Sequence, residues 1–196
     1  MTIRPDRFIL VSFPIQHEHL DTYTVGDAFR RDGPKQRMVD SMNTVIEALK
    51  PEHISIARSL FQEYADSIGV DLCFQGFEKE LDELPGKYSP PEGGLFLAFT
   101  DGSPAGCVAV RPLGAEGAAE LKRLYVRPAA RGKNLGNVLT NTAIQRARDA
   151  GCKVIRLDTL PSMGDAQRLY RKLGFKEIPP YTYNPIPGAV YMELPL

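Results

Sequence analysis

Arg131, Gly132, Lys133, Asn134 and Gly136 lie between an apolar run, Leu121-Lys122-Arg123-Leu124-Tyr125-Val126, and the start of a helical pattern at Leu135. Arg127-Pro128 closes the apolar run. This order sets two cationic side chains and several backbone N–H groups at the open start of a helix. The first N–H groups of a helix have no intrahelical partner, and the helix dipole is positive there. The chemistry of such a loop is anion binding, and a phosphate-bearing ligand is expected on it.

The strand feeding that loop is out of step with itself. Strict alternation groups Leu121 with Arg123 and Tyr125, whereas apolar Leu121 and Leu124 are three apart and cannot share a face of a regular strand. One extra residue, a β-bulge, reconciles them and frees backbone groups beside the loop. An edge strand with an exposed leucine is the alternative.

The elements that must hold this segment follow from periodicity and punctuation. Thr44 to Leu49 suits a strand, and Pro51 opens a helix on which Ile54, Ala57, Leu60, Phe61, Tyr64 and Ile68 recur at helical spacing before Gly69. A shorter helix carries Phe77, Leu81 and Leu84 and ends at Pro85-Gly86. Leu95 to Thr100 and Gly106 to Arg111 read as strands joined by Asp101-Gly102-Ser103-Pro104. After the strand Ala118 to Arg127 come a helix from Leu135 to Ala150, a strand Val154 to Leu157, a helix Asp165 to Leu173 stopped by Gly174, and a last strand Val190 to Leu194. Residues 1–42 have no steady period beyond a possible strand at Phe8-Ile9-Leu10-Val11, and are read as an N-terminal extension, an arm on the domain or on a second subunit. Residues 43–196 form the domain, in a mixed α/β order.

Composition limits the classes. The 196 residues suit one domain with a real core, and 24 basic against 24 acidic residues give a formal net charge of zero, which disfavours a general nucleic-acid binder. There is no membrane-length apolar run and no apparent secretory signal. Cys73, Cys107 and Cys152 lack metal-type spacing and are read as reduced structural thiols of a cytoplasmic protein, with no metal; His17, His19 and His53 are read as surface residues.

Two motifs in sequence order resemble the GNAT superfamily of acyl-CoA-dependent N-acyltransferases. The family's phosphate loop, R/Q-x-x-G-x-G/A, falls on Arg131, Asn134 and Gly136; its later A-x-x-L-Y-x-x-x-G-F falls on Ala166, Leu169, Tyr170, Gly174 and Phe175. The resemblance covers roughly Asn43 to Leu196. Asn134 replaces a loop glycine, and Asn tolerates the left-handed conformation better than other non-glycine residues. Met163 stands where the family often has Asn, which removes one expected polar contact.

The resemblance implies an α/β (α+β) fold with a mixed, mostly antiparallel sheet, a bulged cofactor strand and helices on both faces. It implies acetyl-CoA as co-substrate, its pantetheine along Leu124, Tyr125 and Val126. The pyrophosphate would sit on Arg131, Gly132, Lys133, Asn134, Leu135 and Gly136, with Asn137 on the first helical turn. Tyr170 takes the place of the family's proton donor to the sulfur, and a phenol is protonated at neutral pH as that task requires. Glu120 is the favoured base, with Asp158 near the same cleft as the other candidate. The acceptor pocket falls on Phe74, Gln75, Asp158, Tyr181 and Tyr183. The implied function is direct transfer of an acetyl group from acetyl-CoA to a small amine such as an amino acid or amino sugar. A protein or peptide N-acetyltransferase and a non-catalytic acyl-CoA sensor are the alternatives, and a homodimer is an implied assembly.

Overall fold

A computed structural model describes residues 23–24, 43–114 and 117–196. Among the described residues eight strands form one sheet: β1 (Tyr23–Thr24), β2 (Asn43–Glu47), β3 (Gly94–Thr100), β4 (Ser103–Leu113), β5 (Ala118–Val126), β6 (Val154–Thr159), β7 (Lys176–Ile178) and β8 (Val190–Pro195), in the spatial order β1-β2-β3-β4-β5-β6-β8-β7. All neighbours are antiparallel except β5 and β6. The helices are α1 (Pro51–Ile68), α2 (Phe77–Asp82), α3 (Leu135–Asp149) and α4 (Gly164–Lys172). No helix among the described residues is long and apolar enough to cross a membrane.

Helices cover both faces, which is why the central strands read as nearly unbroken apolar runs. Leu95, Leu97, Cys107 and Ala109 pack with Leu60 and Phe61 of α1 and Phe77 of α2. The alternate residues Phe96, Ala98, Val108 and Val110 pack with Leu135, Leu139 and Ala143 of α3 and Tyr170 of α4. The β3–β4 turn is tighter than expected: Thr100 pairs with Ser103, so Asp101-Gly102 alone make it, both at positive φ as such a two-residue turn requires.

Of the extension 1–42, the described Tyr23–Thr24 adds an edge strand to β2; Phe8 to Val11, His17 and His19 lie outside the described residues. The β2 ladder ends at Glu47, two residues short of expectation, and Leu49 is solvent-exposed. His53 differs from a surface histidine: it is half-buried on α1 with Nδ1 enclosed.

β5 carries the expected bulge. Cys107 faces Tyr125 and Ala109 faces Lys122, so β5 spends one more residue than β4 over the same span. The extra step is taken at Arg123, whose φ is +57°. Before it, Ala119 and Leu121 face the α3–α4 side; after it, Leu124 and Val126 do, and Tyr125 turns to the α1–α2 side.

Candidate active site

The parallel ladder between β5 and β6 runs only from Ala118↔Val154 to Glu120↔Arg156, although both strands continue. Beyond Glu120 the strands part. A cleft of about 740 Å³ opens at the far end, lined by Leu124, Tyr125 and Val126 of β5, by Tyr64 and Ile68 of α1, and by Ser162 to Ala166 and Leu169 around α4. Its floor is the loop after β5 and the start of α3: Arg131, Gly132, Asn134, Leu135 and Gly136.

Asn134 is the residue before α3, at φ +61°, ψ +10°, with no side-chain cap. It holds the left-handed turn expected of it, and leaves the first N–H groups of α3 without a protein side chain to satisfy them. Arg131 Nε donates to the Val126 carbonyl at 3.3 Å, bracing the loop against the strand end. Lys133 is exposed and outside the cleft lining, and Asn137 turns away, accepting from Asn141 Nδ2 at 3.1 Å. The cleft therefore receives five of the seven expected loop residues, together with all three of the expected strand residues.

A second, smaller cavity of about 40 Å³ adjoins the cleft and shares Tyr64, Ile68, Leu124 and Met163 with it. That is room for about three water molecules. Because β5 and β6 have parted, side chains from opposite faces of the sheet meet here. Lys122 Nζ donates to Asp158 Oδ1 at 2.8 Å, and Asn184 Nδ2 to Asp158 Oδ2 at 2.8 Å. Burial opposes charge on Asp158, but Lys122 and Asn184 outweigh it and hold the carboxyl below its ordinary range. Tyr170, 4% exposed, also lines this cavity, and its hydroxyl has no hydrogen-bond partner among the described residues. Burial, with Tyr64 and Asp158 nearby, pushes its phenol far above the usual tyrosine range. Gln75 Oε1 and Thr159 Oγ1 are buried without a partner beside the same space.

Glu120, expected as the base, occupies a different place. It stands where β5 and β6 are still paired, is 1% exposed, and lines neither cavity. Arg111 grips one oxygen, with Nε and Nη2 each at 2.6 Å, and the Tyr181 hydroxyl donates to the other at 3.0 Å. Tyr181 is thus committed to Glu120 and packs edge-on to Tyr191, outside the cavity. Tyr183 is 78% exposed and also outside it. The stretch 181–188 that carries these tyrosines instead contributes Asn184 and Ile186, and of the remaining expected acceptor residues Gln75 and Asp158 line the cavity; the Phe74 side chain lies outside the described residues.

Tyr64, Lys122 and Thr159 are site residues that the sequence reading does not single out, whereas the Asn184 amide belongs to the stretch 181–188 read as part of the acceptor pocket. Tyr64 belongs to the buried stripe of α1, and nothing in the helical period marks the last turn as overhanging a cleft. Lys122 carries a usable signal, a cation one alternation step beyond Glu120 on the same face of the strand.

The family model described as Acetyltransferase (GNAT) family matches residues 56–175. An uncharacterized N-acetyltransferase of Schizosaccharomyces pombe is 43% identical over 159 residues, covering 80% of this chain and 98% of that protein. Among solved structures, an acetyltransferase from Streptococcus agalactiae superposes with a TM-score of 0.65 at 19% identity, over 79% of this chain and 98% of that one. A Salmonella typhimurium protein solved with its cofactor acetyl-CoA does so at 0.54 and 20% identity, over 78% and 93%. The family match and the relatives it runs with define an acyltransferase. The chain belongs to the GNAT acetyltransferase family.

Proposed function

We propose that the protein transfers an acetyl group from acetyl-CoA to the primary amine of a small molecule by direct attack. The observation that carries this is the pair of joined cavities at the parted β5 and β6 strands: a long cleft ending on a cationic helix start, and a small polar chamber holding Tyr170 and Asp158. The pyrophosphate rests on the first N–H groups of α3, with Arg131 as the charged contact. The pantetheine arm lies along residues 124–126, whose edge toward β6 has no ladder partner.

The amine lone pair forms the C–N bond at the thioester carbonyl, and the carbonyl electron pair becomes an oxyanion held by backbone N–H groups of β5 near the bulge. Collapse breaks the C–S bond, and the leaving sulfur takes the Tyr170 proton. Burial keeps the phenol protonated at neutral pH, so its proton is present when charge develops on the sulfur. Asp158, ionised and fixed by Lys122, takes over from Glu120 the task of receiving the amine's proton through water. The small chamber and the existing pairing of its lining carboxylate favour a small monoamine over a polycation: Asp158 already holds Lys122.

The three free cysteines fit a reducing cytoplasm, and the homodimer implied by the family is part of this reading, tested by light scattering. The functional test measures free CoA thiol with acetyl-CoA and a panel of amino acids, amino sugars, polyamines and peptides. Acceleration by small monoamines is expected. Acceleration by peptides alone overturns the acceptor class, and binding of acetyl-CoA with no accelerating amine overturns the enzymatic reading of the site.

A further inference from the structure

Three non-glycine residues among those described have positive φ: Asp101, Arg123 and Asn134. Asp101 and Asn134 are exposed, short and suited to turns. Arg123 is neither: it is long, charged and 4% exposed in the middle of a strand. A left-handed backbone disfavours a residue with a Cβ by roughly five- to thirty-fold, so something else must hold this one in place.

The holding groups come from α2. Glu80 receives Arg123 Nε at 2.8 Å and Nη2 at 3.1 Å, and the guanidinium carbon lies 5.1 Å from the centre of the Phe77 ring. Glu80 is itself fixed, since Lys87 Nζ donates to it at 2.6 Å and the Tyr88 hydroxyl at 2.9 Å. At the other end of the residue, the Arg123 carbonyl accepts from the buried Cys107 thiol at 3.4 Å. Past this point β5 has changed faces, and residues 124–126 line the donor cleft.

Resting on the acetyl-CoA reading above, we infer that Glu80 and Phe77 are positioning residues: through Arg123 they hold the β5 bulge left-handed and so keep residues 124–126 turned into the donor cleft. Neither residue lines that cleft, and Glu80 lies 43 positions from the Arg123 it holds. An ion pair that served stability alone would leave donor affinity indifferent to the backbone preference of residue 123. The positioning role makes donor affinity depend on it.

The test is acetyl-CoA affinity by calorimetry, on proteins first checked for folding by circular dichroism. Glu80→Gln/Arg123→Ala and Glu80→Gln/Arg123→Gly both lack the ion pair and differ by one methyl group, but glycine takes the left-handed conformation freely. The glycine double variant is expected to bind acetyl-CoA roughly five- to thirty-fold more tightly than the alanine one. Equal affinities overturn the inference. Should the doubles fail to fold, Glu80→Asp keeps the charge and shortens the arm; its affinity for acetyl-CoA is expected to fall at least about five-fold, and an unchanged affinity overturns the inference equally. If the unaltered protein binds no acetyl-CoA, the donor reading fails, and this inference with it, a result distinct from equal binding by the variants.

Discussion

Glu80→Gln tests how the bulge is anchored energetically. The carboxylate is 6% exposed and accepts four hydrogen bonds, two from Arg123 and one each from Lys87 and Tyr88. Burial pushes its pKa up, but Arg123 and Lys87 outweigh burial and bring it from 4.5 to about 2. At about 1.4 kcal/mol per pH unit that difference corresponds to about 3 kcal/mol of folding stability. An independent route gives a similar figure: removing one partner of a buried pair and leaving Arg123 uncompensated costs about 3–5 kcal/mol. The folded pKa lies below the unfolded one, so this stability is fully present above about pH 4.5 and disappears as the pH falls toward 2. Urea unfolding at a series of pH values reads it directly. Glu80→Gln is expected to be about 3 kcal/mol less stable than the unaltered protein at pH 7, and the gap is expected to narrow as the pH falls through that window. Equal stability at pH 7, or a gap constant with pH, refutes the reasoning.

Tyr170→Phe removes a hydroxyl with no protein partner among the described residues and keeps the ring packed 5.6 Å from Phe175, so stability should change by less than about 0.5 kcal/mol while kcat falls about 100-fold or more with acetyl-CoA affinity retained. Full turnover in that variant removes Tyr170 from the chemistry. Asn134→Ala should lose about 1 kcal/mol at the left-handed position, whereas Asn134→Gly should match the parent in thermal unfolding and in KM for acetyl-CoA. Glu120→Gln should leave turnover near that of the unaltered protein and lower stability through the stranded Arg111; loss of turnover with fold and acetyl-CoA affinity retained would restore Glu120 as the base. Asp158→Asn should lower kcat with acetyl-CoA affinity retained, and unchanged turnover would remove Asp158 from the chemistry.

Local signals carried the donor side of the site. The three-residue gap between Leu121 and Leu124 foretold the extra residue of β5, because a strand's faces alternate strictly. Asn134 was legible for the same kind of reason, since few side chains accept a left-handed turn before a helix. The acceptor side was harder because its contacts are long-range. Lys122 meets Asp158 across 36 residues, and Arg123 meets Glu80 across 43. Where β5 and β6 part decides which of Glu120 and Lys122 reaches the cavity, and no property of either residue encodes that point. Tyr181 and Tyr183 looked suited to a polar pocket by type, yet one is spent on Glu120 and the other faces solvent.

The central claim is that one acetyl group passes directly from acetyl-CoA to an amine nitrogen in the chamber between β5 and β6. Mass spectrometry of the acceptor alongside thiol release tests this most directly. One N-acetylated small molecule is expected for each CoA thiol released, with both signals suppressed together in Tyr170→Phe. Thiol release without an acetylated amine, or acetylation that persists undiminished in Tyr170→Phe, contradicts it.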